Sequence, residues 1–308
     1  MKGSRVPQVS VIIPSWNTRA LLAECLESIV CTTADLDVDI IVVDNGSTDG
    51  SQAMVQSRFG GARLIANQTN LGFARANNPA LAATTAPYAL LLNSDAQLRT
   101  GTLHALLALA ESQPKAAIIG GQVHNVDSSF QASYAEFPSL WQELLVLSGL
   151  GRLLHGRWYP SHGPEDGKGP QRVDWVGGAC MLVQRRVLAD LGGFDETYFM
   201  YAEEMDLCYR AGRAGWEVWY VPAADVVHHG GASSRHQAQR READLYCSRV
   251  RFFHRHYGDV AARRLKLLIY ACAAVKLPVH ALLRSLSGGR YGRPVVGLSL
   301  LAAELRRA

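Results

Sequence analysis

Short apolar runs alternate with segments of helical periodicity over the first 120 residues. The predicted strands that contain these runs are Val9–Ile13, Val38–Val43, Arg63–Ile65, Ala89–Leu92 and Ala117–Ile119. The stretches between them carry apolar residues three and four positions apart, which is typical of helices packed on a sheet. This alternation predicts an α/β fold with a Rossmann-like, mostly parallel sheet and helices on both faces. The glycine pattern G-x-G-x-x-G is absent after the first run, which argues against a dinucleotide-binding fold.

The regular alternation stops at Gln122 and returns after Arg172. We interpret this segment as an insertion with a mobile loop. Its aromatic side chains either line a sugar site or cover the sheet. Beyond it, the pattern predicts a helix over Arg185–Leu191 and a strand over Trp216–Val221, and the tail is predicted to be helical from Glu242.

Charge is distributed unevenly along the 308 residues. The net charge is +4, but twelve basic residues and only Asp259 and Glu304 lie from Arg249 onward, so the tail carries +10 and the rest −6. A basic tail suits an anionic membrane surface, and it could equally pack on the body or form a homo-oligomer. The segment Leu265–Leu283 carries charges that favour a membrane-surface helix over a spanning one. The mildly acidic body does not indicate nucleic-acid binding.

The six cysteines form no C-x-x-C pair, which predicts free thiols in a reducing compartment. The apolar run Val9–Ile13 is too short for a signal peptide. We therefore expect a cytoplasmic protein that can attach peripherally to the inner face of the plasma membrane through its tail.

Two carboxylates directly follow apolar runs of the predicted sheet. Asp44 comes after the second run beside Asn45, and Asp95 comes after Ala89–Leu92 beside Asn93. One such carboxylate is often a turn former or a helix cap. Two of them on neighbouring strands favour a polar crevice at the carboxyl edge of the sheet. Asp95 would suit a hard divalent cation bound together with a diphosphate.

Three carboxylates crowd the predicted start of a later helix, at Glu203, Glu204 and Asp206. The helix dipole accounts for acidic residues at this end. The largely apolar approach from Phe194 to Tyr201 would also raise the pKa of one of them and make it a candidate general base. Helical geometry lets one or two of the three face a shared site.

A histidine pair, His228-His229, follows a predicted strand and precedes Gly230-Gly231. A single histidine is usually structural, whereas a pair at a strand end is a metal candidate. The sequence does not decide which of the two would bind.

Six segments occur in the order found in family 2 glycosyltransferases, which the chain resembles from about Val9 to Ser233. They are Pro14–Asn17, Val42–Gly50, Asn70–Ala74, Leu92–Asp95, Gly192–Arg210 and His228–Ser233. These are inverting enzymes with the GT-A fold, and the pattern is most similar to their bacterial rhamnosyltransferase-like branch. The resemblance implies a GT-A domain over residues 1–240, with a nucleotide-binding half (9–120) and an acceptor and catalytic half (121–240), followed by a helical, basic tail (241–308).

The resemblance implies roles on the donor side. Asp44 would accept the N3–H of a pyrimidine base, Pro14 to Asn17 would wall the base and ribose, and Arg75 and Asn77 would hold the nucleotide. The implied donor-binding set is Pro14, Ser15, Trp16, Asn17, Asp44, Asn45, Ser47, Arg75, Asn77, Asn93 and Ser94.

It also implies the reacting groups. Asn93-Ser94-Asp95 stands where the family has Asp-x-Asp, so Asp95 is the ionic ligand of Mg²⁺ or Mn²⁺, with His228 as the second ligand. Glu204 matches the catalytic base. Because many relatives carry Asp at that position, Glu203 remains an alternative for the base. Asp206 is the third carboxylate of this cluster. The residues implied to shape the sugar pocket are Trp175, Gly177 and Gly178.

We therefore expect a metal-dependent inverting glycosyltransferase of cell-surface polysaccharide synthesis. It would use a dTDP- or UDP-sugar, with L-rhamnose from dTDP-L-rhamnose as the implied donor, and a glycan or polyprenyl-diphosphate-linked acceptor. A sugar-1-phosphate nucleotidyltransferase is one alternative, but it would show a Gly-rich basic loop where this chain has Pro14–Asn17. A non-catalytic nucleotide-sugar-binding module with the same fold is the other.

Overall fold

The computed structural model describes residues 6–164, 168–230, 238–286 and 305. The chain divides into two compact units. The first comprises Met1–Phe137, Ser161–Thr197 and Glu203–Ser233. The second comprises Pro138–Pro160, Tyr198–Ala202 and Ser234–Ala308. Gly231 to Ser233, which end the last of the six motifs, lie outside the described residues.

In the part of the chain that the structure describes, the first unit contains all of the strands and six helices. The strands are β1 (Val9–Ser15), β2 (Val38–Asp44), β3 (Arg63–Ala66), β4 (Tyr88–Leu92), β5 (Ala96–Leu98), β6 (Ala116–His124), β7 (Phe130–Gln131), β8 (Tyr134–Ala135), β9 (Gln171–Val173), β10 (Trp175–Val176), β11 (Cys180–Gln184) and β12 (Glu217–His228). The helices are α1 (Arg19–Thr32), α2 (Ser51–Arg58), α3 (Phe73–Ala83), α4 (Thr102–Ser112), α7 (Arg185–Leu191) and α8 (Glu203–Arg213). The second unit holds α5 (Leu140–Ser148), α6 (Leu150–His155), α9 (Ala238–Tyr257) and α10 (Asp259–Leu286).

The main sheet has the order β3-β2-β1-β4-β11-β6-β12-β5. Strands β3, β2, β1 and β4 are parallel, β11 runs antiparallel between β4 and β6, and β6 pairs in parallel with β12. This confirms the predicted mixed α/β fold with a mostly parallel sheet. One detail of the prediction was wrong: Asp44 and Asp95 do not follow neighbouring strands, because β1 lies between β2 and β4.

The unbroken apolar runs are explained by burial of the sheet on both faces. In β4, Leu90 and Leu92 join one hydrophobic cluster with Leu22 of α1, whereas Leu91 joins a second cluster with Ala76 and Ala80 of α3. Alternate residues of a strand point to opposite faces, so a strand covered on both sides needs apolar residues at every position. The ends of these strands are therefore where polar side chains gather.

The segment between Gln122 and Arg172 is more regular than the sequence indicated. Strand β6 continues to His124, and the helices α5 and α6 follow in the second unit. Helix α5 begins with a capping box, in which the Ser139 side chain accepts from the Gln142 backbone and the Gln142 side chain accepts from the Ser139 backbone. The spacing S-x-x-Q is a helix-start signal that the sequence analysis overlooked.

Within the second unit, α10 packs on both α9 and α5. Glu143 is buried there and lies 3.3 Å from the Arg249 guanidinium. Burial raises the pKa of Glu143, and Arg249 opposes that shift. The predicted helical tail is thus present to Leu286, and residues 287–304 and 306–308 lie outside the described part. None of the described helices is both long and apolar enough to cross a bilayer.

Candidate active site

The carboxyl ends of β1 and β2 form one polar edge of the sheet. Asp44 closes β2 in register with Ser15 of β1, and the Asn45 N–H donates to the Ser15 carbonyl at 2.8 Å. The Asp44 side chain is fully buried at this edge. Its Oδ1 accepts hydrogen bonds from the Ser47 N–H at 3.0 Å and from Gln52 Nε2 at 2.8 Å. Gln52 lies on the first turn of α2, and no sequence signal had singled it out.

The other carboxylate oxygen of Asp44, Oδ2, is buried without a hydrogen-bond partner among the described residues. Leaving a buried acceptor unpaired costs about 1–3 kcal/mol, and more when it is charged. Because Ser47 and Gln52 already engage Oδ1, the carboxylate is held so that Oδ2 can accept from an incoming N–H donor. This is the arrangement that a site for the imide edge of a base requires.

Two amides of the implied donor set support the loops around the edge. Asn45 Nδ2 donates to the Gly72 carbonyl at 3.2 Å, and Asn45 Oδ1 accepts from Asn67 at 2.9 Å. Asn77 is fully buried and donates to the Phe73 carbonyl at 2.9 Å. Both side chains therefore support backbone around the edge, and Asn77 Oδ1, like Asp44 Oδ2, is buried without a hydrogen-bond partner among the described residues.

Arg75 is exposed on α3, with its Nε 3.8 Å from a carboxylate oxygen of Glu196. An ion pair this exposed is worth little and leaves the guanidinium accessible to solvent. Of the two residues implied to hold the nucleotide after the Asn-Leu-Gly-Phe-Ala motif, Arg75 is thus the one whose side chain is reachable from outside.

The turn after β1 is tied to the turn after β2. Asn17 Oδ1 accepts from the Thr48 N–H at 2.8 Å, and the Asn17 N–H donates to Ser47 Oγ at 2.9 Å. Pro14, near the end of β1, and Trp16, on the turn after it, are half-buried. The predicted base wall is thus a pair of cross-linked turns.

A chain of hydroxyls links that turn to the Asn93-Ser94-Asp95 motif. The Thr18 hydroxyl lies 3.0 Å from Ser15 Oγ and 2.9 Å from Ser94 Oγ. Thr18 is the N-cap of α1, but its side chain caps no helix N–H. Ser15 and Ser94 are both buried, so they position the two turns.

The structure resolves which of the paired histidines meets Asp95. His228 Nε2 lies 3.1 Å from Asp95 Oδ1, because the end of β12 pairs with β5 directly after Asp95. His229 contributes its N–H to the Asp95 carbonyl at 3.0 Å, and its ring lies 3.9 Å from Glu24. Asn93 Nδ2 lies 3.3 Å from His228 Nε2.

Asp95 and His228 fit a divalent cation bound together with substrate oxygens. Adjacent ligands of an octahedral cation with bonds of about 2.1 Å lie about 3 Å apart, which matches this N–O separation. The described residues hold no cluster of three or more His, Cys, Asp or Glu side chains suited to a metal. Mg²⁺ at phosphate sites is usually held by one or two carboxylates, with phosphate and water supplying the remaining ligands.

The three carboxylates of α8 occupy different environments. Asp206 is fully buried and accepts from Arg210 Nε at 2.7 Å, while Arg210 also donates to the carbonyls of Leu191 and Gly193. Asp206 therefore orients the Arg210 guanidinium, which holds the loop before α8. Glu203 is also buried, whereas Glu204 is half-exposed.

The loop before β11 joins Glu204 to the Asp95 edge. A methyl group on Gly178 would lie 3.8 Å from Glu204 Cβ and 3.8 Å from the Phe73 ring, so this loop passes directly over Glu204. The next residue, Ala179, accepts from the Asn93 N–H at 3.0 Å. Glu204 and the Asn93-Ser94-Asp95 motif therefore border the same short loop.

The remaining residues implied for the sugar pocket hold this loop in place. The Gly177 N–H donates to the Ser133 carbonyl at 2.7 Å, and Trp175 Nε1 donates to the Glu136 carbonyl at 3.0 Å. The Trp175 ring is thereby fixed at the start of the loop.

Glu203 makes stability depend on pH. Burial, and after it the neighbouring Glu204, raise the pKa of Glu203 well above its ordinary 4.5. Above pH 4.5 the unfolded chain loses this proton before the folded protein does. The contribution of the protonated Glu203 to the free energy of unfolding is therefore complete below pH 4.5, and it declines as the pH rises toward the pKa of the folded state. The loss is about 1.4 kcal/mol per unit of pKa elevation.

We expect the Glu203→Gln variant, which cannot ionise, to lack this decline. Between pH 5 and 8 the Tm of the wild type should fall relative to that of the variant in differential scanning calorimetry. Parallel Tm curves over this range would show that Glu203 has no raised pKa.

Comparison with known proteins agrees with this geometry. An N-acetylglucosaminyl-diphospho-decaprenol L-rhamnosyltransferase of Mycobacterium tuberculosis is 33% identical over 216 residues, covering 64% of this chain and 68% of the relative. A mannosyltransferase from Pyrobaculum calidifontis, solved with GDP-Man and Mn²⁺, has a TM-score of 0.57 at 19% identity. The match covers 98% of this chain and 86% of the mannosyltransferase chain. GalNAc-T7, solved with UDP, GalNAc and Mn²⁺, has a TM-score of 0.57 at 14% identity, and the match covers 82% of this chain and 48% of the GalNAc-T7 chain.

The structural neighbours establish the GT-A fold. The profile of the family described as "Glycosyl transferase family 2" matches residues 10–192, which include the polar sheet edge and the loop that faces Glu204. Together with the rhamnosyltransferase relative, this match confirms the family predicted from the six motifs. The chain belongs to glycosyl transferase family 2 and is a glycosyltransferase.

Proposed function

We propose that this enzyme is a metal-dependent, inverting rhamnosyltransferase that uses dTDP-L-rhamnose and a polyprenyl-diphosphate-linked acceptor. The observation that carries the proposal is one sheet edge with two complementary features. Asp44 offers a buried, unpaired oxygen to a base, and Asp95 with His228 offers two ligands to a cation. A pyrimidine nucleoside diphosphate needs both features. A sugar-1-phosphate nucleotidyltransferase is disfavoured by the family itself.

Base recognition would rest on Asp44. Thymine and uracil carry an N3–H donor, whereas cytosine carries an N3 acceptor, so a carboxylate oxygen at this point selects the first two. The cross-linked turns of Pro14–Asn17 and Ser47–Thr48 border the carboxylate. Their position suits a wall for the base and ribose, and we assign the exposed Arg75 to the phosphates.

Asp95 and His228 would hold Mg²⁺ or Mn²⁺. When bound, the cation offsets the negative charge on the departing diphosphate. Both structural neighbours were solved with Mn²⁺, which supports a divalent metal without deciding between the two.

Glu204 would serve as the general base. Its half-exposed side chain borders the Gly177–Ala179 loop, whereas Glu203 is buried and Asp206 is held by Arg210. The acceptor hydroxyl would attack the anomeric carbon, forming the new C–O bond as the bond to the diphosphate oxygen breaks, and Glu204 would take the hydroxyl proton. A single displacement of this kind inverts the anomeric configuration.

The sugar and acceptor are inferred from the relatives. The Mycobacterium tuberculosis relative is named for transfer of L-rhamnose to N-acetylglucosaminyl-diphospho-decaprenol. We assign the same classes of donor and acceptor to this chain, which places it in cell-surface polysaccharide synthesis.

A lipid-linked acceptor requires the enzyme to reach a membrane surface, and the second unit carries exposed residues suited to contact with lipid. On α10, Val260, Leu267 and Val275 are exposed about two turns apart, with exposed Arg263 and Arg264 between them. An apolar stripe flanked by cations suits an interfacial helix on anionic lipid. Exposed Leu153 and Leu154 of α6 add apolar surface to this unit. We propose peripheral attachment at the cytoplasmic face.

Nucleotide preference tests the proposal. With Mn²⁺, we expect dTDP and UDP to raise the Tm of the wild type, and CDP to have little effect. In Asp44→Asn, Ser47 and Gln52 still donate to Oδ1, so the new amide NH₂ takes the place of Oδ2. The variant should therefore lose about tenfold or more in affinity for dTDP and gain for CDP. Thermal shift and isothermal titration calorimetry measure both changes.

The matched control is Asp39→Asn, at the opposite end of β2, where Asp39 forms an exposed ion pair with Arg63 at 3.1 Å. This variant should keep the wild-type preference. Equal affinity of the wild type for dTDP, UDP and CDP, or an unchanged preference in Asp44→Asn, would contradict the assignment of Asp44.

A further inference from the structure

A chain of hydrogen bonds runs from a surface carboxylate to His228. The Ser129 hydroxyl donates to Asp127 Oδ1 at 2.6 Å, and Asn125 Nδ2 donates to Ser129 Oγ at 2.9 Å. Gln131 Nε2 then donates to Asn125 Oδ1 at 3.0 Å, and Gln131 Oε1 lies 2.6 Å from His228 Nδ1. No sequence signal had singled out the four residues that lead to His228, which are Asp127, Ser129, Asn125 and Gln131.

Each orientation in this chain follows from the one before it. An ionised carboxylate only accepts, and hydrogen bonds from Ser129 lower the pKa of Asp127 and keep it ionised. The Ser129 proton is therefore directed at Asp127, which leaves its oxygen to accept from the Asn125 NH₂. The Asn125 oxygen must then face Gln131 and accept from the Gln131 NH₂. The remaining end of Gln131, its carbonyl oxygen, faces His228.

The consequence is a fixed tautomer. An amide oxygen cannot donate, so His228 has to carry a proton on Nδ1 to bond Gln131. In the neutral ring this leaves the lone pair on Nε2, 3.1 Å from Asp95 Oδ1. Two acceptors this close repel each other unless a cation or a proton lies between them. The ring is thus oriented and protonated as a metal ligand.

We propose that Gln131 is a positioning residue that selects the metal-binding tautomer of His228. The orientation of Gln131 is in turn set by Asn125, Ser129 and Asp127. The inference rests on the proposed metal role of His228 and adds the group that prepares it. Metal-ligating histidines generally donate their other ring N–H to an oxygen of this kind, and loss of the partner weakens metal affinity about 10–100-fold.

The backbone supports this role. Gln131 ends β7, which pairs with β6 through Val123 and is therefore held on the sheet. Gly230, two residues after His228, has a φ of +69° and passes so close that a Cβ there would lie 3.1 Å from Gln131 Nε2. The turn after β12 and the Gln131 amide are thus packed together.

The test measures Mn²⁺ affinity and the tautomer separately. With saturating dTDP, free Mn²⁺ measured by electron paramagnetic resonance should show that Gln131→Met binds the ion about 10–100-fold more weakly than the wild type. Gln131→Glu, whose carboxylate also accepts from Nδ1–H, should stay within about threefold of the wild type. Affinity for dTDP without metal should not change in either variant, which distinguishes positioning from a general loss of structure.

The matched control is Gln97→Met on β5, where Gln97 bonds Glu24 at 2.7 Å, and it should bind Mn²⁺ as the wild type does. In the metal-free wild type at pH 8.5, long-range ¹H–¹⁵N spectra should show His228 protonated on Nδ1, with a mixture of tautomers in Gln131→Met. Wild-type Mn²⁺ affinity in Gln131→Met, or an Nε2–H tautomer in the wild type, would overturn the inference. A wild type that binds no Mn²⁺ would contradict the proposed function, and the spectra would still decide the tautomer.

Discussion

Glu204→Gln should lower kcat for sugar transfer by about 10²–10⁴-fold, the range that a positioned general base contributes. The amide has nearly the same shape but cannot accept the acceptor's proton. Binding of dTDP with Mn²⁺ should stay at the wild-type level, because Glu204 borders the Gly178 loop and is assigned to the proton of the acceptor rather than to the nucleotide. Single-turnover transfer and calorimetric binding measure the two quantities separately.

The comparison variants decide between neighbouring carboxylates. Glu27→Gln, on the exposed face of α1 where Glu27 pairs with Arg58, should transfer sugar as the wild type does. Loss of transfer in Glu203→Gln with full activity in Glu204→Gln would move the base to Glu203. A wild type that binds the nucleotide sugar without consuming it in the presence of any acceptor would favour a non-catalytic binding module.

Asp95→Asn should remove the metal-dependent part of donor binding. The substitution keeps the shape of the side chain but removes the charge 3.1 Å from His228 Nε2. If the cation contributes about 3 kcal/mol to stabilising the departing diphosphate, turnover should fall roughly 10²-fold. The rise in Tm that Mn²⁺ adds to the effect of dTDP should disappear. Thermal shift with and without Mn²⁺ measures this increment.

Asp39→Asn again provides the control, because it removes a carboxylate from the same sheet without touching the site. Its Mn²⁺ increment should equal that of the wild type. An undiminished increment in Asp95→Asn would show that the cation is bound elsewhere, and a wild type with full activity in excess chelator would show that no cation is needed.

The sequence determined the strands and the edge at which the site forms. Buried parallel strands need apolar residues at every position, so their ends are marked where polar residues begin, as at Asp44 and Asp95. Order along the chain was sufficient to identify the family from six short motifs. These are local signals, and they do not depend on knowing which strands are neighbours.

The tertiary structure decided which partners each polar residue meets. The choice of His228 over His229 depends on the pairing of β12 with β5, which brings together residues more than 130 positions apart. The different environments of Glu203, Glu204 and Asp206 depend on which side of α8 meets the core. The contacts of Gln52 and Gln131 could not be predicted, because a lone glutamine carries no pattern until folding places it beside Asp44 or His228. Periodicity and chain order are properties of the sequence, whereas orientation and hydrogen-bond partnership arise from long-range packing.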